Sequence, residues 1–117
     1  MKEENKIILY QDDNEITRVS VRFADEDLWL TQNQLADIYQ TSKSNVSEHI
    51  KHIFEDGELD KTVVVRNFRI TTQHGAMEGK TQSRDVAHYN LDMIIALGYR
   101  VQSQVATRFR RWATQRL

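Results

Sequence analysis

The chain has 117 residues, 28% charged and 39% apolar, which is the length and composition of one globular domain. It has no cysteine, which excludes disulfides and thiolate-bound metals; no apolar run approaches the roughly 20 residues of a membrane span, and the opening MKEENKI has no apolar signal core. The formal net charge of −1 conceals an asymmetry: residues 1–60 carry 6 Lys/Arg against 14 Asp/Glu, a balance of −8, while residues 61–117 carry 10 against 3, a balance of +7. A basic half can meet an anionic partner while the whole chain stays near neutral.

In chain order, KIILY (Lys6–Tyr10) reads as a short strand. RVSVRF (Arg18–Phe23) alternates Val19, Val21 and Phe23 with polar residues, the pattern of a half-buried strand. ADED is a turn, and LWL (Leu28–Leu30) is a short apolar segment feeding the next element. Thr31 and Gln34 form a capping box at the start of a helix that carries Leu35, Ala36, Ile38 and Tyr39. After a break at QTS, Ser42 or Ser44 caps a second helix with Val46, Ile50 and Ile53 at i, i+4 and i+7, and Gly57 ends it or starts the following loop. TVVVRNFRI (Thr62–Ile70) reads as the strongest strand, TTQHGAMEGKTQS as a loop, and RDVAHY (Arg84–Tyr89) as the returning strand. Asn90 caps the apolar LDMIIAL, which should be buried, with Gly98 as its C′ residue. Ser103 caps a last helix that places Val105, Phe109 and Trp112 on one face.

The stretch LTQNQLADIYQTSKSNVSEHI is the pattern of a helix-turn-helix. Such a pair needs a small residue where the two backbones nearly touch, and Ala36 is that residue. Val46, ten positions on, supplies the apolar contact from the second helix, and Leu35, Ile50 and Ile53 complete a small core. Gln40 stands where the turn usually holds glycine. Ser44, Ser47, Glu48 and Lys51 point away from the apolar stripe, with Lys43 and Asn45 at the helix's N-terminal end. That end is electropositive and is the one that meets base edges in the major groove. Asn pairs bidentately with adenine, and Ser and Lys serve bases or phosphates. The strand–loop–strand that follows resembles a wing, along which Arg66, Arg69, Lys80 and Arg84 are candidate phosphate contacts. Arg108 and Arg111 share a face of the last helix and could serve DNA, solvent or a further region of the protein. Against DNA stands the acid-rich EDGELD directly after the second helix.

A longer resemblance supports this fold. LWLTQNQLADIYQTSKSNVSEHIKHIFEDGELD, followed by VAHYNLDMIIALGYRVQSQVATRFRRWATQRL, resembles the RhuM family of bacterial virulence-associated proteins from about Val19 to the C-terminus. Its most specific part is YNLDMIIALGYRV…FRRWA. The last part also resembles phage Bro-type DNA-binding domains, which end in a similar arginine-rich helix. The resemblance implies a bacterial DNA-binding protein longer than this chain, with no catalytic motif to carry over.

Other chemistry is weakly supported. His49 and His52, one turn apart with Glu48 beside them, lack a third and fourth metal ligand. No nucleophile stands near a base, and the acidic pairs Asp12/Asp13 and Asp25–Asp27 are turn formers on a solvated surface. GKT (Gly79–Thr81) has His74 where a phosphate-binding loop needs glycine. Trp29 and Trp112 are core anchors. The expectation is therefore an α+β winged helix-turn-helix with short N-terminal strands and C-terminal helices, one domain over residues 1–117 and the N-terminal part of a longer protein. It binds double-stranded DNA as a cytoplasmic regulator and a homodimer, through Lys43, Ser44, Asn45, Ser47, Lys51, Arg66, Arg69, Lys80 and Arg84. It uses no metal, cofactor or small-molecule substrate. The competing expectation is a non-enzymatic adaptor that binds protein with the same surface; a third is a domain that targets an enzymatic C-terminal region.

Overall fold

The computed structural model describes residues 6–13, 17–73 and 81–117. The chain is α+β, with one five-stranded antiparallel sheet and five helices. Strands β1 (Lys6–Gln11), β2 (Arg18–Ala24) and β3 (Asp27–Leu30) come first. Helices α1 (Gln32–Ile38) and α2 (Lys43–Glu55) follow, then a single helical turn α3 (Lys61–Val64). The hairpin β4 (Val65–Gln73) and β5 (Thr81–Asn90) leads into α4 (Leu91–Val101) and α5 (Ser103–Arg116). The strand order is β1-β2-β3-β5-β4. The segment expected only as an apolar lead-in, Leu28–Leu30, is thus the central strand, joining the N-terminal strands to the hairpin.

Local chemistry explains the joints. β2 and β3 are linked by Asp25 and Glu26, with φ of 54° and 61°, the two left-handed residues of a type I′ hairpin turn. At α1 the capping box is closed: the Gln34 N–H donates to Thr31 Oγ1 at 3.2 Å and the Thr31 N–H to Gln34 Oε1 at 2.9 Å. Ser42, not Ser44, caps α2 by accepting from the Asn45 N–H at 3.0 Å. Gly57, at φ +73°, closes its far end, where the Glu58 N–H reaches the Ile53 carbonyl and the Gly57 N–H that of Phe54.

Three expectations are corrected. Thr62–Val64 is helical rather than strand, because the Asp60 carboxylate accepts from the Thr62 N–H and opens a turn before the β-branched run extends. Gly98 lies inside α4 rather than beyond its end, and the helix runs on to Val101. Ser103 is the first residue of α5, whose cap position is held by Gln102 without a side-chain hydrogen bond. The expected loop is also shorter, since Thr71–Gln73 and Thr81–Ser83 belong to β4 and β5.

The helices pack on one face of the sheet. Tyr10, Val19, Val21, Leu28, Leu30 and Tyr89 from the strands share one cluster with Leu35, Val46 and Ile53, with Met93 and Leu97, and with Phe109. The opposite face holds a smaller cluster of Ala24, Trp29 and Phe68, where Arg22 and Arg66 lie over the Phe68 ring at 4.9 and 4.7 Å. Trp29 also donates its indole N–H to the Ala24 carbonyl at 3.0 Å, and Trp112 stacks edge-on against Tyr10, so both tryptophans are packing residues. No described helix is long and apolar enough to cross a membrane.

Ala36 is buried in the same cluster as Val46 and Ile50. Ala36→Leu adds three carbons where the core is already closed, and the expected loss is about 1–3 kcal/mol of stability. Urea denaturation measures it; an unchanged midpoint would mean that the two helices do not cross at this residue.

Candidate nucleic-acid interface

The turn between α1 and α2 is built without glycine. Gln40 adopts φ 53°, a left-handed conformation that costs a non-glycine residue about 1–2 kcal/mol. Its side-chain amide offsets this by donating to the Asp37 carbonyl at 2.9 Å and to Thr17 Oγ1 at 3.1 Å. The Thr41 N–H returns to the Ala36 carbonyl at 3.0 Å and the Gln40 N–H to that of Asp37, the paired bonds of a Schellman turn. α2 therefore leaves α1 at a fixed angle, with Val46, Ile50 and Ile53 buried.

That angle presents the start of α2. Lys43, Ser44, Ser47 and Lys51 are exposed. Asn45 is half-buried, and its amide donates to Thr41 Oγ1 at 2.9 Å, which uses one of the two N–H donors of that amide. Lys43 and Arg84 line one groove of about 290 Å3 between the starts of α1 and α2 and strand β5, together with Gln32, Asn33 and Tyr89. The Gln32 amide donates to the Tyr89 hydroxyl at 2.9 Å, which ties α1 to the hairpin.

The remaining hairpin cations are placed differently. Arg66 pairs with His88, Phe68 with Val86, and Ile70 with Arg84 across the hairpin, so these share a face. Arg66 is ion-paired with Asp25 and lies over Trp29 and Phe68. Arg69 is on the other face, 3.6 Å from Asp85, with both side chains more than half exposed, a pairing too solvated to hold it firmly. Lys80 lies outside the described residues. Burial lowers the pKa of His88, with Arg22 acting in the same direction, so at neutral pH it adds no cation to the hairpin.

The acid-rich segment is occupied internally. Asp56 and Glu58 accept from Arg100 of α4 at 3.3 and 2.9 Å, and Asp60 caps α3. These acids lie at the far end of α2 from Lys43. Thirteen residues at 1.5 Å each separate the ends by about 20 Å, twice the roughly 10 Å over which exposed charges act at moderate salt.

On α5, Arg108 does not face outward. It clasps Asp12 through Nε at 2.8 Å and Nη2 at 2.9 Å. Asp12 is buried rather than a solvated turn former, and it also accepts from the Tyr10 hydroxyl at 2.9 Å. Phe109 is fully buried, and Trp112 is half-buried against Tyr10. His52 is exposed 3.5 Å from Glu48, and His49 is half-buried. Among the described residues no group of three or more His, Asp or Glu is placed to hold a metal ion.

The architecture is thus an α+β domain in which a sharply turned helix pair and a β-hairpin share one groove. Residues 63–117, just under half of the chain, match the model described as the Virulence protein RhuM family. The matched span runs from α3 through the hairpin, α4 and α5; α1 and α2 lie before it. No curated protein and no solved structure matches the chain.

Proposed function

We propose that the chain binds double-stranded DNA as a winged helix-turn-helix and serves transcriptional regulation in the bacterial cytoplasm, without catalysis. The observation that carries this reading is the groove in which Lys43, at the start of α2, lies across from strand β5, whose Arg84 and Asp85 both line it, beside the exposed Ser44 and Ser47. The order β3–α1–α2–α3–β4–β5, with β3 paired to β5, supports it, because in that order a helix pair is followed, after one helical turn, by a hairpin anchored to the strand that precedes the pair.

In this reading the start of α2 enters the major groove. Asn45, Ser44 and Ser47 stand nearest the base edges, while Lys43, Lys51, Arg69, Lys80 and Arg84 neutralise phosphates. Arg66 holds the hairpin to the Asp25 turn. Phosphate neutralisation makes affinity fall with salt, whereas base contacts set sequence preference. One such helix reads few base pairs, so two copies bind two half-sites. The test is a mobility shift against mixed genomic fragments at two salt concentrations. Retardation that weakens at the higher salt is expected. A chain that retards no fragment at either salt does not have this function, and binding to a protein partner becomes the better account.

A further inference from the structure

The outward side of α4 carries Leu91, Ile95 and Tyr99, each one turn apart, with Asp92 and Ala96 beside them. Leu91, Ile95 and Ala96 are half-buried, and Tyr99 is 47% exposed. With Leu59 they line a groove of about 430 Å3. Singly exposed apolar side chains are ordinary, but a contiguous set along one groove marks a contact surface.

The rim of this groove bears both signs. Glu58 and Asp92 are acidic and Arg110 is basic. Glu58 is committed to Arg100. Among the described residues, the Asp92 and Arg110 side chains and the Tyr99 hydroxyl have no ion-pair or hydrogen-bond partner. A uniformly acidic or uniformly basic partner would meet like charge on one rim. Asp92 and Tyr99, seven residues apart and so on one side of α4, complement each other, and a second copy turned end for end presents the hydroxyl of one to the carboxylate of the other.

We propose that this groove is the interface between two copies of the chain, related by a twofold axis between Ile95 and Ala96. Antiparallel pairing about that point sets Asp92 of each copy opposite Tyr99 of the other. The tyrosine hydroxyl then donates to the carboxylate while its ring covers Leu91. The small Ala96 sits at the axis, where the two helices approach most closely. A twofold contact is self-complementary in this sense: the same residues meet in exchanged roles. The proposal rests on the two-copy reading of the DNA-binding function. The groove adjoins the loop after α2, about 20 Å from Lys43, so pairing leaves the start of α2 open.

Sedimentation of the chain over a dilution series tests this, with circular dichroism confirming the fold of each variant. The chain should dimerise. Tyr99→Asp sets two carboxylates against each other and should weaken the dimer about tenfold or more. Adding Asp92→Arg should restore it, because arginine then meets aspartate across the axis. Should Tyr99→Asp fail to fold, Ala96→Cys gives a second test: it supplies the sole thiol of a chain without cysteine, and mild oxidation should join two copies. A native chain that stays monomeric, a dimer indifferent to Tyr99→Asp, a double variant that is not restored, or an Ala96→Cys chain that does not cross-link overturns the proposal. Binding of Tyr99→Asp to a single half-site duplex is measured alongside. Lost dimerisation with half-site binding intact separates this interface from the DNA-binding function, and an intact native dimer without DNA binding sinks that function alone.

Discussion

Gly98→Ala is expected to destabilise the chain by about 3 kcal/mol, the upper range for overpacking a closed core. In an exposed helix interior the same change would gain about 1 kcal/mol from helix propensity. Packing reverses the sign. A Cβ at Gly98 would stand 2.3 Å from the Tyr39 hydroxyl oxygen, 2.5 Å from its ring carbon Cζ and 2.6 Å from the Ala106 Cβ. None of these atoms can retreat cheaply. The Tyr39 side chain is buried, and its hydroxyl donates to the Ile94 carbonyl at 2.7 Å. Ala106 is buried on α5. Gly98 is therefore the point of α4 against which the Tyr39 ring and Ala106 of α5 are packed. Thermal or urea denaturation decides the matter: a variant as stable as the native chain, or more stable, would show that Tyr39 and Ala106 do not close on this position.

Arg108→Ala is expected to cost about 3 kcal/mol at neutral pH, because it leaves the buried Asp12 carboxylate without its cation. The contact joins the residue that follows β1 to α5, a separation of 96 residues in the chain. It also sets a pH dependence. The Arg108 guanidinium holds the Asp12 carboxyl at about 2, against an ordinary 3.8. A carboxyl whose pKa is lower in the folded chain stabilises it fully above the ordinary value, and that stability is lost as pH falls toward about 2. The shift corresponds to about 2 kcal/mol. Native stability should therefore fall between pH 4 and pH 2 more steeply than that of Arg108→Ala, and the two curves should converge in acid. Parallel curves over that window would remove Asp12 from the account.

Much of the fold was legible because its signals are local. The Thr31–Gln34 box, the Val46/Ile50/Ile53 stripe, Gly57 at a helix end and the alternation of Val19, Val21 and Phe23 each act within a few residues. Two misplacements have different causes, one local and one tertiary. A run of three valines reads as strand until the Asp60 cap is known to open a turn first, and a glycine after an apolar helix reads as a stop until Tyr39 is known to need its space. The fates of the arginines were not legible. Arg66, Arg69, Arg84 and Arg108 look alike in sequence, yet one joins Asp25, one stands near Asp85, one lines the groove and one clasps Asp12. Long cationic side chains choose partners across the sheet and between distant elements, and no periodicity records that choice. The turn residue Gln40 could be flagged as a departure, but its two anchoring bonds depend on Thr17, 23 residues earlier, as well as on Asp37.

In the proposed DNA-binding function the start of α2 reads bases while the hairpin grips the backbone. Salt titrations of Asn45→Ala and Arg84→Gln, each on a preferred duplex and on random DNA, separate the two roles. Asn45→Ala should weaken the preferred site by about 1–3 kcal/mol and leave random DNA nearly unchanged. Arg84→Gln should weaken both duplexes alike and lower the salt slope by about one. If Asn45→Ala loses preferred and random binding in equal proportion, α2 is not the reader and the claim is contradicted.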